Sequence, residues 1–200
     1  MRLNEKINNI RTLPEKLNIK HEVIFSSLVL FLGLSLGLIA KTSDSISIIG
    51  DIGTEIGIWI FIATLIASYS MHPLSASINV PIFFLGMLCT YYTYTHFVLG
   101  FFPRSYFIIW LIITLFFTPI AGFITWFSRG KGIISIVSSS LPIALLLAHG
   151  YPALYTQRIS LYISLICGII LNLILPRTPK MKIFVFSFSL LLAIFIHVLI

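Results

Sequence analysis

Charge is scarce in this chain. Asp, Glu, Lys and Arg make up only 10% of its 200 residues, against about 25% in an ordinary soluble domain, which excludes a water-facing globular surface. Cysteine is scarcer still. Cys89 and Cys167 both fall in apolar stretches, where a disulfide framework has no purpose and a two-thiol metal site lacks its other ligands, so both read as small hydrophobes. The six acidic residues are outnumbered by 13 basic ones. Even so, the basic residues flank apolar segments and do not interleave with surface aromatics, so no nucleic-acid partner is expected. No nucleotide loop is present: Arg129-Gly-Lys131 lacks both the spacing and the following Ser or Thr. No cofactor is expected. No internal repeat is visible, which argues against an inverted-repeat transporter.

What is present is hydrocarbon. Hydrophobic residues make up 58% of the chain and the mean hydropathy is +1.05. The fold class read from this is all-α, a polytopic transmembrane helix bundle with seven predicted spans, at 23–40, 50–70, 79–99, 105–127, 133–149, 158–175 and 181–200. Each is near the roughly 20 residues that cross a ~30 Å core, the fifth being the shortest. The first lacks a small-residue cleavage site after Ala40, so it reads as a span and not as a signal peptide. Residues 1–22 form a basic cytoplasmic or interfacial leader, and 23–200 a single transmembrane domain. Pro14 interrupts the leader's amphipathic pattern, so it is expected to add little buried area. Pro81, Pro119 and Pro142 mark bends within spans. Gly33-x3-Gly37, Gly53-x3-Gly57 and Ala63-x3-Ala67 are small-residue patterns that let helix backbones approach within the bundle. Trp59, Trp110, Trp126 and Tyr106 fall toward span ends, as interfacial rings do.

Orientation follows from the joints, because cytoplasmic loops collect Lys and Arg. With the N-terminus inside, the inner segments hold Arg2, Lys6, Arg11, Lys16, Lys20 and the anchors Arg129, Lys131, Arg177, Lys180 and Lys182. The outer joints hold Lys41, Arg104 and Arg158. Acidic residues divide evenly, so the inner side carries the whole net charge of +7. This predicts a cytoplasmic N-terminus and an extracellular C-terminus in the plasma membrane.

The runs Gly33 to Asp44, Gly57 to Ser70 with Trp59, Phe84 to Thr95, Gly100 to Tyr106 and Thr118 to Gly132 together resemble a family of small, uncharacterised polytopic membrane proteins of Gram-positive-type bacteria. The resemblance covers about residues 30 to 132. It implies a bacterial plasma-membrane setting and carries no activity.

The polar residues with chemical potential are few. Asp51 and Glu55 stand four apart, sharing one face of a helix, and the second span reaches membrane thickness only if it begins near Asp51. Glu55 would then lie at or below headgroup level, where an ionisable group is a functional candidate, and two close carboxylates would share a proton or bind a cation. The bland reading is a wet first turn favoured by the helix dipole. His96 and His149 end spans three and five at similar height. With Asp51 and Glu55 they would supply ligands for a zinc-like site, though no H-E-x-x-H spacing supports one. Tyr91, Tyr92, Tyr94, Tyr151 and Tyr155 line an outward vestibule or form an aromatic belt. Asn79 and Asn172 read as helix-bridging amides, His21, His72 and His197 as interface residues. Ser138 to Ser140 lack an assured base, which argues against a serine nucleophile. The expected function is binding or transport of a small solute or cation at an outward-facing polar site. The alternative is an interaction protein whose partners are the lipid bilayer and other membrane proteins.

Overall fold

The computed structural model describes residues 7–13, 19–43, 55–156 and 158–199. Among them all regular structure is helical. The helices are α1 (Ile19–Thr42), α2 (Ile56–Tyr69), α3 (Pro73–Leu99), α4 (Arg104–Ile112), α5 (Thr118–Trp126), α6 (Gly132–Gly150), the single turn α7 (Ala153–Thr156), α8 (Ile159–Ile174) and α9 (Pro179–Leu199). A π-helical stretch, Ile113–Phe117, joins α4 to α5. Five helical stretches, including Arg104–Arg129 taken as one, are long and apolar enough to cross a membrane, and they mark this as a membrane protein. The short apolar helices are α2, with 14 residues, and α8, with 16. The shortest segment expected from the sequence was the fifth, but α6 runs to 19 residues.

Local chemistry explains the joints. Pro73 opens α3 at a position where its missing N–H costs nothing, and His72 Nδ1 accepts from the Leu74 amide at 3.3 Å. Gly100, at φ 73°, closes the same helix in the left-handed conformation. Pro119 cannot donate to Leu115, so the chain widens into the π stretch, and the Thr118 hydroxyl donates to the Thr114 carbonyl at 2.7 Å.

Packing is set by small residues. A Cβ on Gly33 would lie 2.2 Å from the Phe83 carbonyl oxygen, and one on Gly37 would lie 2.4 Å from that of Met87. The Gly33-x3-Gly37 pattern thus seats α1 on α3 within the bundle. Two apolar clusters result. One gathers Val29, Trp59, Ala67, Val80, Phe83 and Trp126; the other gathers Ile143, Leu146, Leu171, Leu175 and Val185. Helix α2 serves both, with Trp59 and Ile66 in the first and Ile60 and Leu65 packed on the second.

Polar contacts sort the helix ends into two groups. Ser26 of α1, Asn79 of α3, Ser70 after α2 and Trp126 of α5 meet at one end. The start of α2, the end of α6 and the start of α8 meet at the other. These are called the arginine end and the glutamate end below.

Three expectations are corrected. Helix α2 begins at Ile56 and not near Asp51; Glu55 is extended, at φ −71° and ψ 122°, and Asp51 lies outside the described residues. The leader is not a loose appendage over residues 7–13. Ile7 is buried with Trp126 and Phe127, Ile10 and Leu13 pack on them, and the Lys131 amide donates to the Ile10 carbonyl at 2.8 Å. Trp126 and Trp59 are 1% and 8% exposed, core residues and not interfacial ones.

Candidate functional site

At the glutamate end, Glu55 precedes α2 and His149 occupies the last turn of α6, where the helix dipole favours a cation. His149 Nε2 stands 3.4 Å from Glu55 Oε2. Ser160, near the start of α8, donates to Glu55 Oε1 at 2.8 Å, and Ser164, one turn further, stands 3.2 Å from His149 Nδ1. The chain Ser160–Glu55–His149–Ser164 therefore links three helices. Both serines are buried, while the side chains of His149 and Glu55 keep 29% and 19% exposure. The carboxylate is thus largely desolvated, hydrogen-bonded through Oε1, faced by His149 at Oε2, and still partly exposed.

Ser164, His149 and Glu55 have the residue types of a nucleophile, a base and its orienting acid. The geometry argues against that use. Gly57 of α2 sits over Ser164, and a Cβ there would lie 2.0 Å from Ser164 Oγ, so no acyl group fits beside the hydroxyl. Ser138 to Ser140 are spent on packing: Ser139 donates to the Ser128 and Ser135 carbonyls, and Ser140 to those of Ile136 and Val185.

Two cavities open beside this end. A volume of about 330 Å³ is walled by Trp59, Tyr91, Tyr92, Tyr106 and Trp110, with Lys41 Nζ 4.9 Å from the Tyr91 ring centre. A more apolar one of about 460 Å³ lies between α2, α3, α5 and α6, and Ile56, Phe84 and Trp110 border both. Of the tyrosines expected to line a vestibule or form a belt, Tyr91 and Tyr92 line the smaller of these two cavities. Tyr151 instead packs edge-on against Tyr155 and His197. His96 stands apart from the pair, packed edge-on against Phe97 and Phe102. Among the described residues no three His, Cys, Asp or Glu gather as a metal site would require.

The arginine end is built differently. The buried Asn79 accepts from Ser26 Oγ at 2.7 Å and donates to Ser70 Oγ at 3.2 Å, while Trp126 Nε1 donates to the Ser70 carbonyl at 2.8 Å. Arg11 lies over the Trp126 ring at 4.2 Å and donates through Nη1 to the Trp126 carbonyl. Arg129 stacks on Tyr69, also at 4.2 Å. Burial holds the Arg11 guanidinium down to about 10, and the positive charges of Arg129 and Arg177 add to the effect. It is still charged at neutral pH. Because the folded value lies below that of an unburied guanidinium, the folded state bears this cost at every pH below about 10 and sheds it only in more alkaline solution. Of the expected anchors, Arg129 and Arg177 act on Arg11 through their charge, the Lys131 amide donates to the carbonyl of Ile10, the residue before Arg11, and Lys180 and Lys182 lie in the first turn of α9.

Sequence reasoning missed Ser160, Ser164 and Arg11. The first two carried a signal, the one-turn spacing Ser160-x3-Ser164-x3-Gly168 that marks a small, polar helix face. Compared with known proteins, the chain matches no family model, no curated protein and no solved structure at a significant level.

Proposed function

We propose that the protein is a seven-span plasma-membrane protein, with its N-terminus in the cytoplasm and its C-terminus outside, that binds a small cation or cationic solute at Glu55. Alternation of the helix ends supports the topology: Arg11, Arg129 and Arg177 share one end, and Glu55, His149 and Ser160 the other. Helices α2 and α8 cover only about 21 and 24 Å at helical rise, so in this reading the bilayer thins or the flanking residues complete the crossing.

The observation that carries the ligand reading is the partly exposed carboxylate of Glu55. Glu55 is oriented by Ser160 and faced by His149 at 3.4 Å, so a cation can replace His149 as its partner. The neighbouring aromatic walls suit an organic cation through their ring faces. Adding sodium, magnesium or tetramethylammonium chloride singly to the purified protein should raise its melting temperature for at least one of them. Glu55→Gln, which keeps shape and removes charge, should abolish that response. Identical melting of wild type and variant in all three salts moves the weight to an interaction protein with no ligand chemistry.

A further inference from the structure

We propose that the two cavities beside α2 form one binding site for a phospholipid of the leaflet at the glutamate end, with an acyl chain in the larger cavity. The inference does not rest on the cation reading, because Glu55 lines neither cavity.

The larger cavity runs along one face of α2. Its lining residues there are Ile56, Ile60, Ala63, Thr64 and Ala67, a helical repeat that extends over about 16 Å at helical rise. That is about half of a ~30 Å hydrocarbon core, the depth filled by the chains of a single leaflet. The small side chains of Ala63, Ala67 and Ala121, together with Gly122, leave the room. So does α4, which buries none of its nine residues.

The opening faces sideways. Phe117, Ile120, Leu141 and Leu145 border the cavity and are exposed, and they stand near the middle of the spans Arg104–Arg129 and Gly132–Thr156. At that depth a bilayer offers hydrocarbon and not water. The walls do not suit water either, because Thr64 and Thr118 spend their hydroxyls on the Ile60 and Thr114 carbonyls, both at 2.7 Å. A hydrocarbon chain matches these walls and can reach them.

The smaller cavity sets the class of molecule. It meets the larger one at Ile56, Phe84 and Trp110, lies toward the glutamate end, and is walled further by Lys41, Tyr91, Tyr92, Thr95 and Tyr106. Side chains of that kind suit a lipid head at the membrane interface. Two joined compartments, one apolar and one polar and aromatic, fit an amphiphile better than a free solute or a bare alkane.

The test uses the full chain, reconstituted in phosphatidylcholine vesicles and extracted in a steroid-based detergent that has no linear chain to compete. After gel filtration, mass spectrometry and phosphorus analysis should find about one phospholipid per protein, as a single site requires. Ala121→Phe, at an exposed position on the cavity wall, should cut the retained lipid roughly tenfold by filling the space with a ring. Ala63→Leu should do the same from the floor, and Ala121→Phe carries the result where that buried change disturbs the core. Leu173→Phe, exposed on α8 and outside both cavities, should retain lipid as wild type does. Melting in the same detergent checks each fold, and added phosphatidylcholine should raise the melting temperature by about 5 °C in wild type and Leu173→Phe alone. Retention no higher in wild type than in the two filled variants overturns the proposal, as does a retained apolar molecule that is not a phospholipid.

Discussion

The two ends of α2, about 21 Å apart at helical rise, treat their polar groups in opposite ways. At the Ser70 end, neutral groups are consumed: Asn79 is fully buried and bonded on both sides, and the Trp126 N–H is spent on a carbonyl. At the Glu55 end, the central groups are ionisable, mostly but not fully buried, and retain unfilled hydrogen-bonding capacity. A satisfied, buried network fixes where helices sit, whereas a partly open charged pair costs stability unless something else completes it. The first arrangement reads as architecture and the second as a site.

That contrast predicts where truncation hurts. Trp126→Ala removes a side chain that fills the first core, hydrogen-bonds α2 to α5 and carries Arg11 on its face, so it should cost about 3–5 kcal/mol, the largest effect of any change considered. Thermal melting in detergent would register this as a fall of roughly 10 °C, and a variant melting within about 2 °C of wild type would break the architectural reading. Deleting residues 2–13 should cost less, about 2 kcal/mol, because it withdraws Ile7 from the core and uncovers Trp126. Trp126 emission should shift to the red in the deletion. An unshifted spectrum with unchanged melting would restore the view of the N-terminus as a dispensable leader.

Much of the framework was legible because hydrocarbon solvent leaves few choices. Apolar stretches, short joints and the Gly33-x3-Gly37 face sufficed to find the helices and to anticipate close helix packing. The start of α2 was not legible. Membrane thickness demanded a longer helix than the chain makes, since length arguments fix how far a segment must reach and not whether it is helical throughout. The docked N-terminus was hidden for another reason: Ile7, Ile10 and Arg11 bind residues more than a hundred positions away, and no local pattern encodes that partner. The candidate site was half legible. Glu55 and His149 stood out as ionisable groups at helix ends, but proximity to each other, and the exclusion of His96, depend on which helices are neighbours.

The smallest effect is the most discriminating for the Glu55 end. Ser160→Ala removes the hydroxyl that donates to Glu55 Oε1 and should lower stability by about 1 kcal/mol, more than the near-zero expected of a water-facing serine. If the hydroxyl acts only through that carboxylate, the loss should vanish once the carboxylate is gone. In a cycle with Glu55→Ala, the two changes together should therefore cost less than their sum, with a coupling of about 0.5–1.5 kcal/mol. His149 would then face an empty position in both backgrounds, so the coupling isolates the Ser160–Glu55 contact. Additivity to within about 0.3 kcal/mol would mean that water already solvates Glu55 on the Ser160 side. The two ends of α2 would then differ only in depth, and the glutamate end would lose the preorganisation that distinguishes a binding site from a hydrated helix start.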